Sequence, residues 1–200
     1  MGNIDIFEMI ASSYDTSERT EIAKLAANAI RERLVNATTK DAIDFGCGTG
    51  LVGMYLLNDF QSVLFLDASQ NMVKQIQQKI TEFDIQNAST LCVDIENEST
   101  KNLQVDCIFM AQVLLHIENT EFVLSKLYEM LKADGHLFIV DFDKNGNIAS
   151  DMVHNGFEQK RLAELLAKIG YNNIQSKTFY YGEKIFMAQD ASMFILDCKK

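Results

Sequence analysis

The sequence predicts an α/β fold: a three-layer sandwich with helices on both faces of a mostly parallel, seven-stranded sheet. Three observations carry that expectation. Short strand-like runs recur and end in an acid: the apolar run at residues 62–67, the pattern of a parallel strand buried on both faces, and another strand at 88–94. Between them lie stretches with apolar residues at helical spacing, such as Met72, Val73, Ile76, Ile80 and Phe83. Finally, Gly46, Gly48 and Gly50 follow the first apolar run directly and lead into residues 51–57, which read as a helix. A glycine turn between a strand and a helix N-terminus is a ligand cradle, because the backbone can approach a ligand closely and the first helical N–H groups face it.

In chain order, residues 1–17 hold Ile4, Ile6, Phe7, Met9 and Ile10 and then Tyr14-Asp15. Residues 18–36 read as an amphipathic helix with Ile22, Leu25, Ala26, Ala29 and Leu34 on one stripe. No repeat or linker interrupts the chain. The expected organisation is an N-terminal cap and helix over 1–36 and a binding domain over 37–200, within one continuous domain. Two families use a glycine turn of the kind that follows. Gly48-Thr49-Gly50-Leu51-Val52-Gly53 matches the G-x-G-x-x-G string of dinucleotide folds. Asp44-Phe45-Gly46-Cys47-Gly48-Thr49-Gly50-Leu51, with its acid inside the strand end, closely resembles the first motif of the class I S-adenosylmethionine (SAM) dependent methyltransferases. That resemblance implies that Asp44 and the backbone of Gly46, Cys47, Gly48 and Gly50 hold the methionine end of SAM. It also implies that Tyr14 belongs to a segment capping the cofactor, where the plain reading is a surface aromatic near a terminus.

The acids at the next strand ends extend the comparison. Asp67 lies about 20 residues past the first glycine, where a carboxylate accepts both ribose hydroxyls in either family. The continuation through Ala68 to Met72 resembles the methyltransferase form, in which the methionine packs on adenine; Met72 equally fits a core stripe. Asp94 ends a third strand. In the methyltransferases that acid accepts the adenine amino group and the main chain of the next residue, here Ile95, meets the ring, whereas dinucleotide folds place no obligatory acid there. As an ordinary strand-end aspartate, Asp94 would form a turn.

Residues 105–117 resemble the fourth-strand motif of small-molecule methyltransferases, which implies that Gln112 faces the cofactor. Asp/Asn-Pro-Pro-Tyr, the mark of exocyclic amine methylation in DNA or of protein glutamine methylation, is absent, as is the Pro-Cys of cytosine C5 chemistry. Residues 119–133 read as a helix. The turn at Lys132-Ala133-Asp134-Gly135 departs from the family's Leu-Lys-Pro-Gly-Gly, with Gly135 expected to supply the permissive backbone. Residues 141–148 imitate the start of a calcium loop, but position twelve is Met152 in place of glutamate, so a solvated turn is expected and no metal. His154-Asn155-Gly156-Phe157 leads into a helix closed by Gly170, and residues 171–181 and 191–199 read as two terminal strands. The resemblance makes those an antiparallel hairpin, unlike the end of a NAD-binding fold.

Composition bounds the function. The net charge is −10 and the 18 basic residues are dispersed, which argues against nucleic acid as a partner. No apolar run approaches the roughly 20 residues that span a bilayer, and the first residues have no signal-peptide pattern. The four cysteines form no zinc spacing and suggest a reducing, cytoplasmic setting. The resemblance implies transfer of the SAM methyl group to an O, N or C nucleophile of a small molecule. His116, just after the fourth strand, is the first candidate for a general base and His154 the second; His136 begins a strand and has no expected role. Two alternatives stay open: a NAD-dependent oxidoreductase using Gly48, Gly50, Gly53 and Asp67, and a non-catalytic SAM-binding regulator.

Overall fold

A computed structural model describes residues 3–97, 103–150 and 153–200. Its seven strands are β1 (Asp41–Phe45), β2 (Ser62–Asp67), β3 (Ala88–Cys92), β4 (Val105–Ala111), β5 (Leu131–Phe142), β6 (Asn172–Phe186) and β7 (Gln189–Lys199). They form one sheet in the order β3-β2-β1-β4-β5-β7-β6. The pairs among β1 to β5 are parallel, and β7 runs antiparallel between β5 and β6. The expected fold class, including the terminal antiparallel hairpin, is the observed one. An all-parallel dinucleotide fold has the strand order 3-2-1-4-5-6; the insertion of β7 departs from it.

Among the described residues six α-helices flank the sheet: α1 (Asn3–Ile10), α2 (Ser17–Arg31), α3 (Leu51–Leu56), α4 (Gln70–Glu82), α5 (Thr120–Met130) and α6 (Gln159–Ile169). Side chains of successive strand residues point to opposite faces, and the core divides accordingly. Val63, Phe65, Phe109, Phe138 and Ile195 pack with Ile22, Ala26 and Ile30 of α2 and Ile76 of α4. Leu66, Ile108, Met110, Leu137 and Leu196 pack with Leu124 and Leu127 of α5 and Leu162 and Leu166 of α6. Three helix starts are capped by side chains: the Arg19, Met72 and Phe122 N–H groups donate to Thr16, Ser69 and Asn119.

The structure departs from the sequence-based expectation in four local features. Helix α2 ends at Arg31 rather than at residue 36, and Leu34 reaches the core from the loop beyond it. Phe83, expected on the α4 stripe, is 67% exposed, because it is the C-cap residue past the last helical turn. The turn at 132–135 is a bulge within one continuous strand: Val105 pairs with Leu131 and Cys107 with His136. Asp134, not Gly135, takes the left-handed conformation there (φ 59°). Gly135 is needed for close approach, since a Cβ would lie 2.8 Å from the Lys132 carbonyl oxygen. Finally, β6 and β7 are longer than expected and meet at Met187-Ala188, both at positive φ (49° and 59°), a tight two-residue turn made without glycine or asparagine.

Candidate functional site

The glycine turn is built on the carboxyl end of β1. The Gly46 and Cys47 N–H groups donate to the Leu66 carbonyl at 2.8 and 3.1 Å, which bends the chain over β2. Gly46, Gly48 and Gly50 all have positive φ (64°, 53° and 81°). At Gly46 the space is closed as well: a Cβ would lie 2.5 Å from Val113 Cγ1. Gly53 has another function. Its absent Cβ would lie 2.4 Å from Phe65 and 2.5 Å from Asp44 Oδ2, so this glycine lets α3 pack on the sheet.

Asp44 is 3% exposed and accepts the Gly53 N–H at 3.0 Å. Burial pushes its carboxyl well above the usual range, against the pull of that N–H. Asp67 closes the turn from β2: Oδ2 accepts the Gly48 N–H and Oδ1 the Ser69 N–H, each at 2.8 Å. Burial raises its carboxyl too, with those N–H groups opposing. A carboxylate has about four acceptor positions; with the Gly48 and Ser69 N–H groups bound and the Ala68 N–H also facing it, acceptor capacity remains for a ligand hydroxyl. Cys47 is buried, and its thiol is held well above its ordinary range by burial and then by Asp44 and Asp67; it is an inert packing residue rather than a nucleophile.

An N-terminal cap lies over this cradle. The Asn71 N–H donates to Glu8 Oε1 at 3.2 Å, and the Asn71 side chain donates to the Glu8 carbonyl at 3.1 Å. Lys79 Nζ donates to Asp15 Oδ2 and to the Thr49 carbonyl, both at 2.7 Å, while the Thr49 hydroxyl donates to Asp15. Tyr14, thus fastened on both sides, has a ring atom 3.9 Å from the position of a Gly48 Cβ. The Arg19 guanidinium lies 4.2 Å from the Tyr14 ring centroid and donates to its carbonyl. Phe7 meets Tyr14 edge-on at 6.2 Å and His116 edge-on at 5.1 Å.

The result is a cavity of about 640 Å³. Tyr14, Asp44, Gly46, Cys47, Gly48, Asp67, Ala68, Met72, Asp94, Ile95, Gln112 and His116, all singled out from sequence, line it together. Gly50 shapes the turn without lining the cavity, and His154 lies outside it. Met72 is wholly buried and serves the core as well as the cavity wall. Asp94 accepts the Glu96 N–H at 3.0 Å and Asn97 Nδ2 at 2.7 Å, so it forms a turn and lines the cavity at once. Gln112 adopts a left-handed backbone (φ 56°) and donates its N–H to the Val140 carbonyl. Burial lowers His116 to about 4, leaving its ring neutral near pH 7.

Sequence reasoning missed Phe7, Arg19 and Glu118, which also line the cavity. Arg19 is its only basic liner among the described residues, yet in sequence it is one more polar residue in the first turn of an amphipathic helix. His136 sits within β5, stacked on Phe138 and away from the cavity. In the loop after β5, Asp143 accepts from Gln159, Thr178 and Ser192, a polar knot tying the strand ends together. Met152 lies outside the described residues. Among the described residues no cluster of His, Cys, Asp or Glu is arranged to hold a metal.

Residues 43–137 match a family model described as a methyltransferase domain. An uncharacterized methyltransferase of Schizosaccharomyces pombe is 24% identical over 152 residues, 66% of this chain and 54% of the relative. The (S)-coclaurine N-methyltransferase of Papaver somniferum is 28% identical over 134 residues, 64% of this chain and 38% of that protein. The chain therefore spans about half, or less, of the length of these curated relatives. A SAM-dependent methyltransferase from Aquifex aeolicus shares the fold, with a TM-score of 0.71 at 18% identity, covering 96% of this chain and 97% of that one. With its sheet order, its glycine turn and the acids at three successive strand ends, the chain is similar over residues 43–137 to a methyltransferase domain and shares the Rossmann-like fold of class I SAM-dependent methyltransferases.

Proposed function

We propose that this protein binds SAM and transfers its methyl group to a nitrogen of a small amine. One observation carries the reading: Asp44, the Gly46–Gly48 backbone, Asp67, Asp94 and Gln112 open onto one cavity, which Tyr14 covers. The left-handed glycines and the spare acceptor capacity on Asp67 suit an adenosyl cofactor bound close to the main chain. Arg19 complements the carboxylate of the methionine moiety, Asp67 the ribose, and Asp94 with Ile95 the adenine. Residues 1–36 act as a cap on the binding domain at 37–200.

Bound SAM supplies a methyl group on a positively charged sulfur, already activated for in-line displacement. The chain therefore supplies mainly orientation and exclusion of water, worth ~7–11 kcal/mol in well-aligned cases. Beyond the cofactor contacts, the lining offers the rings of Phe7, Tyr14 and His116 and the carboxylates of Asp5 and Glu118. Rings and carboxylates favour a cationic amine over an anionic acceptor, in keeping with the N-methyltransferase name of the poppy relative. A His116 ring with a pKa of about 4 orients the acceptor by hydrogen bonding but does not retain a proton at neutral pH. The amine's proton leaves to solvent before attack.

Among the described residues no helix is long and apolar enough to cross a membrane, and the four cysteines form no disulfide with one another. These features support a cytoplasmic setting.

The test uses three probes of one shape: 2-phenylethylamine, 2-phenylethanol and 3-phenylpropionate, each assayed for S-adenosylhomocysteine release and methylated product. Turnover of the amine alone is expected. Turnover of the carboxylate alone would overturn the acceptor class, and cofactor binding without turnover of any amine would favour a non-catalytic SAM-binding module.

A further inference from the structure

The turn that carries His116 into the cavity is gripped from two sides by side chains outside it. The turn Leu114–His116 has little of its own to hold it: His116 N–H donates to Val113 at 2.9 Å and Ile117 N–H to Leu114 at 3.1 Å. From the sheet, Asp141, wholly buried near the end of β5, accepts the Leu115 N–H at 3.2 Å, with the Leu114 N–H also facing it. Its other oxygen accepts the Phe142 N–H at 2.8 Å. From the opposite side, the His154 N–H donates to the Leu115 carbonyl at 2.8 Å, and the His154 ring Nε2 lies 2.7 Å from the Ile117 carbonyl. A carbonyl can only accept, so Nε2 carries the proton in that bond. Leu115 is thereby bonded through both its N–H and its C=O.

The position of His154 is set by the motif that follows it. Gly156 has φ 87°, and a Cβ there would lie 2.3 Å from the Asp143 carbonyl oxygen. That close approach lets Phe157 N–H donate to Phe142 at 2.9 Å and Lys144 N–H to Phe157 at 3.0 Å. Residues 154–157 therefore lie along the end of β5, the strand that carries Asp141. Both jaws belong to one frame.

We propose that Asp141 and His154 are positioning residues: together they clamp residues 114–117 and fix where the His116 ring stands against Phe7. The consequence for rate rests on the proposed methyl transfer; the clamp itself does not. Burial lifts the Asp141 carboxyl to about 7, so the fold keeps this acid although an ionised carboxylate is disfavoured there. Displacement of an orienting group by an ångström can cost about a hundredfold in rate.

The test is made on the full chain without ligand, so it reads the clamp whether or not an acceptor is known. Imidazole NMR of His116 and amide exchange of Leu115 are compared in wild type, His154→Leu and His154→Gln. His154 is exposed, so neither variant should unfold, and melting curves check this. His154→Leu should shift the His116 ring signals and speed Leu115 exchange about tenfold. His154→Gln, whose Nε2 can reach the same carbonyl, should restore both. Asp141→Asn, left with one acceptor oxygen for the N–H groups of Leu114, Leu115 and Phe142, should perturb the same two signals. With a working amine, His154→Leu should lower kcat about tenfold or more, spare S-adenosylhomocysteine affinity, and be rescued by His154→Gln. Unchanged His116 and Leu115 signals in His154→Leu would overturn the clamp. So would a His154→Gln variant as impaired as His154→Leu, since the ring itself would then be what matters.

Discussion

At the β1–β3 end of the cavity the wall is mostly main chain: Gly46, Cys47 and Gly48 are bent over β2 by two bonds to Leu66, and Asp67 accepts from the Gly48 and Ser69 backbone. Elsewhere the wall is side chains brought from far apart. Phe7 and Tyr14 come from the first residues, His116 from beyond β4, and Arg19 from α2. The first end depends on conformations that only certain residues adopt, so it should be brittle and specific. The second depends on packing and a few polar fasteners, so it should be adjustable.

The comparison can be broken most severely at Gly46. Gly46→Ala combines φ 64° with a Cβ 2.5 Å from Val113. It should weaken S-adenosylhomocysteine binding about a hundredfold or more, measured by titration calorimetry. Affinity within threefold of wild type would remove the main-chain argument. Asp67→Asn keeps the shape but turns an N–H group toward one of its backbone donors. An expected loss of about tenfold to a hundredfold follows from charged hydrogen bonds worth ~1.5–3 kcal/mol, and an unaffected Kd would mean that Asp67 serves the loop alone.

Proton linkage gives a smaller effect that sharpens the contrast. Asp141 (about 7), Asp44 and Asp67 have raised values, chiefly from burial. Their contribution to stability is complete below the unfolded carboxyl range near 4 and is lost as pH rises through each raised value, about 7 for Asp141. His116 is lowered to about 4 by burial, so its contribution is complete above 6.5 and is lost as pH falls toward 4. The carboxyls and His116 oppose each other over the same window. His116→Phe should therefore steepen the fall in unfolding free energy between pH 4 and 6.5, by at most ~1.4 kcal/mol per pH unit. Denaturant titrations at three pH values measure it, and an unchanged slope would mean that His116 is charged in the fold.

The smallest effect belongs to the cap fastener. Lys79→Met removes the bridge from α4 to Asp15 and Thr49. A partly exposed pair of this kind is worth up to ~1 kcal/mol, so S-adenosylhomocysteine should leave about two- to fivefold faster in stopped flow. No change would mean that Glu8 and Asn71 alone hold the cap.

The same division explains what could be read from the residues. The glycines, Asp44, Asp67 and Asp94 stand at fixed offsets along single strands, so local pattern located them and the parallel order of β1 to β5. Arg19, Phe7 and the bond from Lys79 to Asp15 depend on how distant elements meet, which no window of sequence records. His154 shows the limit most clearly: its proximity to the acceptor segment suggested a base, whereas its ring bonds the Ile117 carbonyl outside the cavity. The Asp134 bulge and the Met187-Ala188 turn were hidden because residues without the usual turn chemistry adopt positive φ where the sheet requires it.

The most direct test is calorimetric titration of the intact protein with S-adenosylhomocysteine and, separately, with NADH. The account predicts one-to-one binding of S-adenosylhomocysteine in the micromolar range, lost in Gly46→Ala, and no heat from NADH. Saturable binding of NADH, or no binding of S-adenosylhomocysteine to a folded wild type, would contradict it.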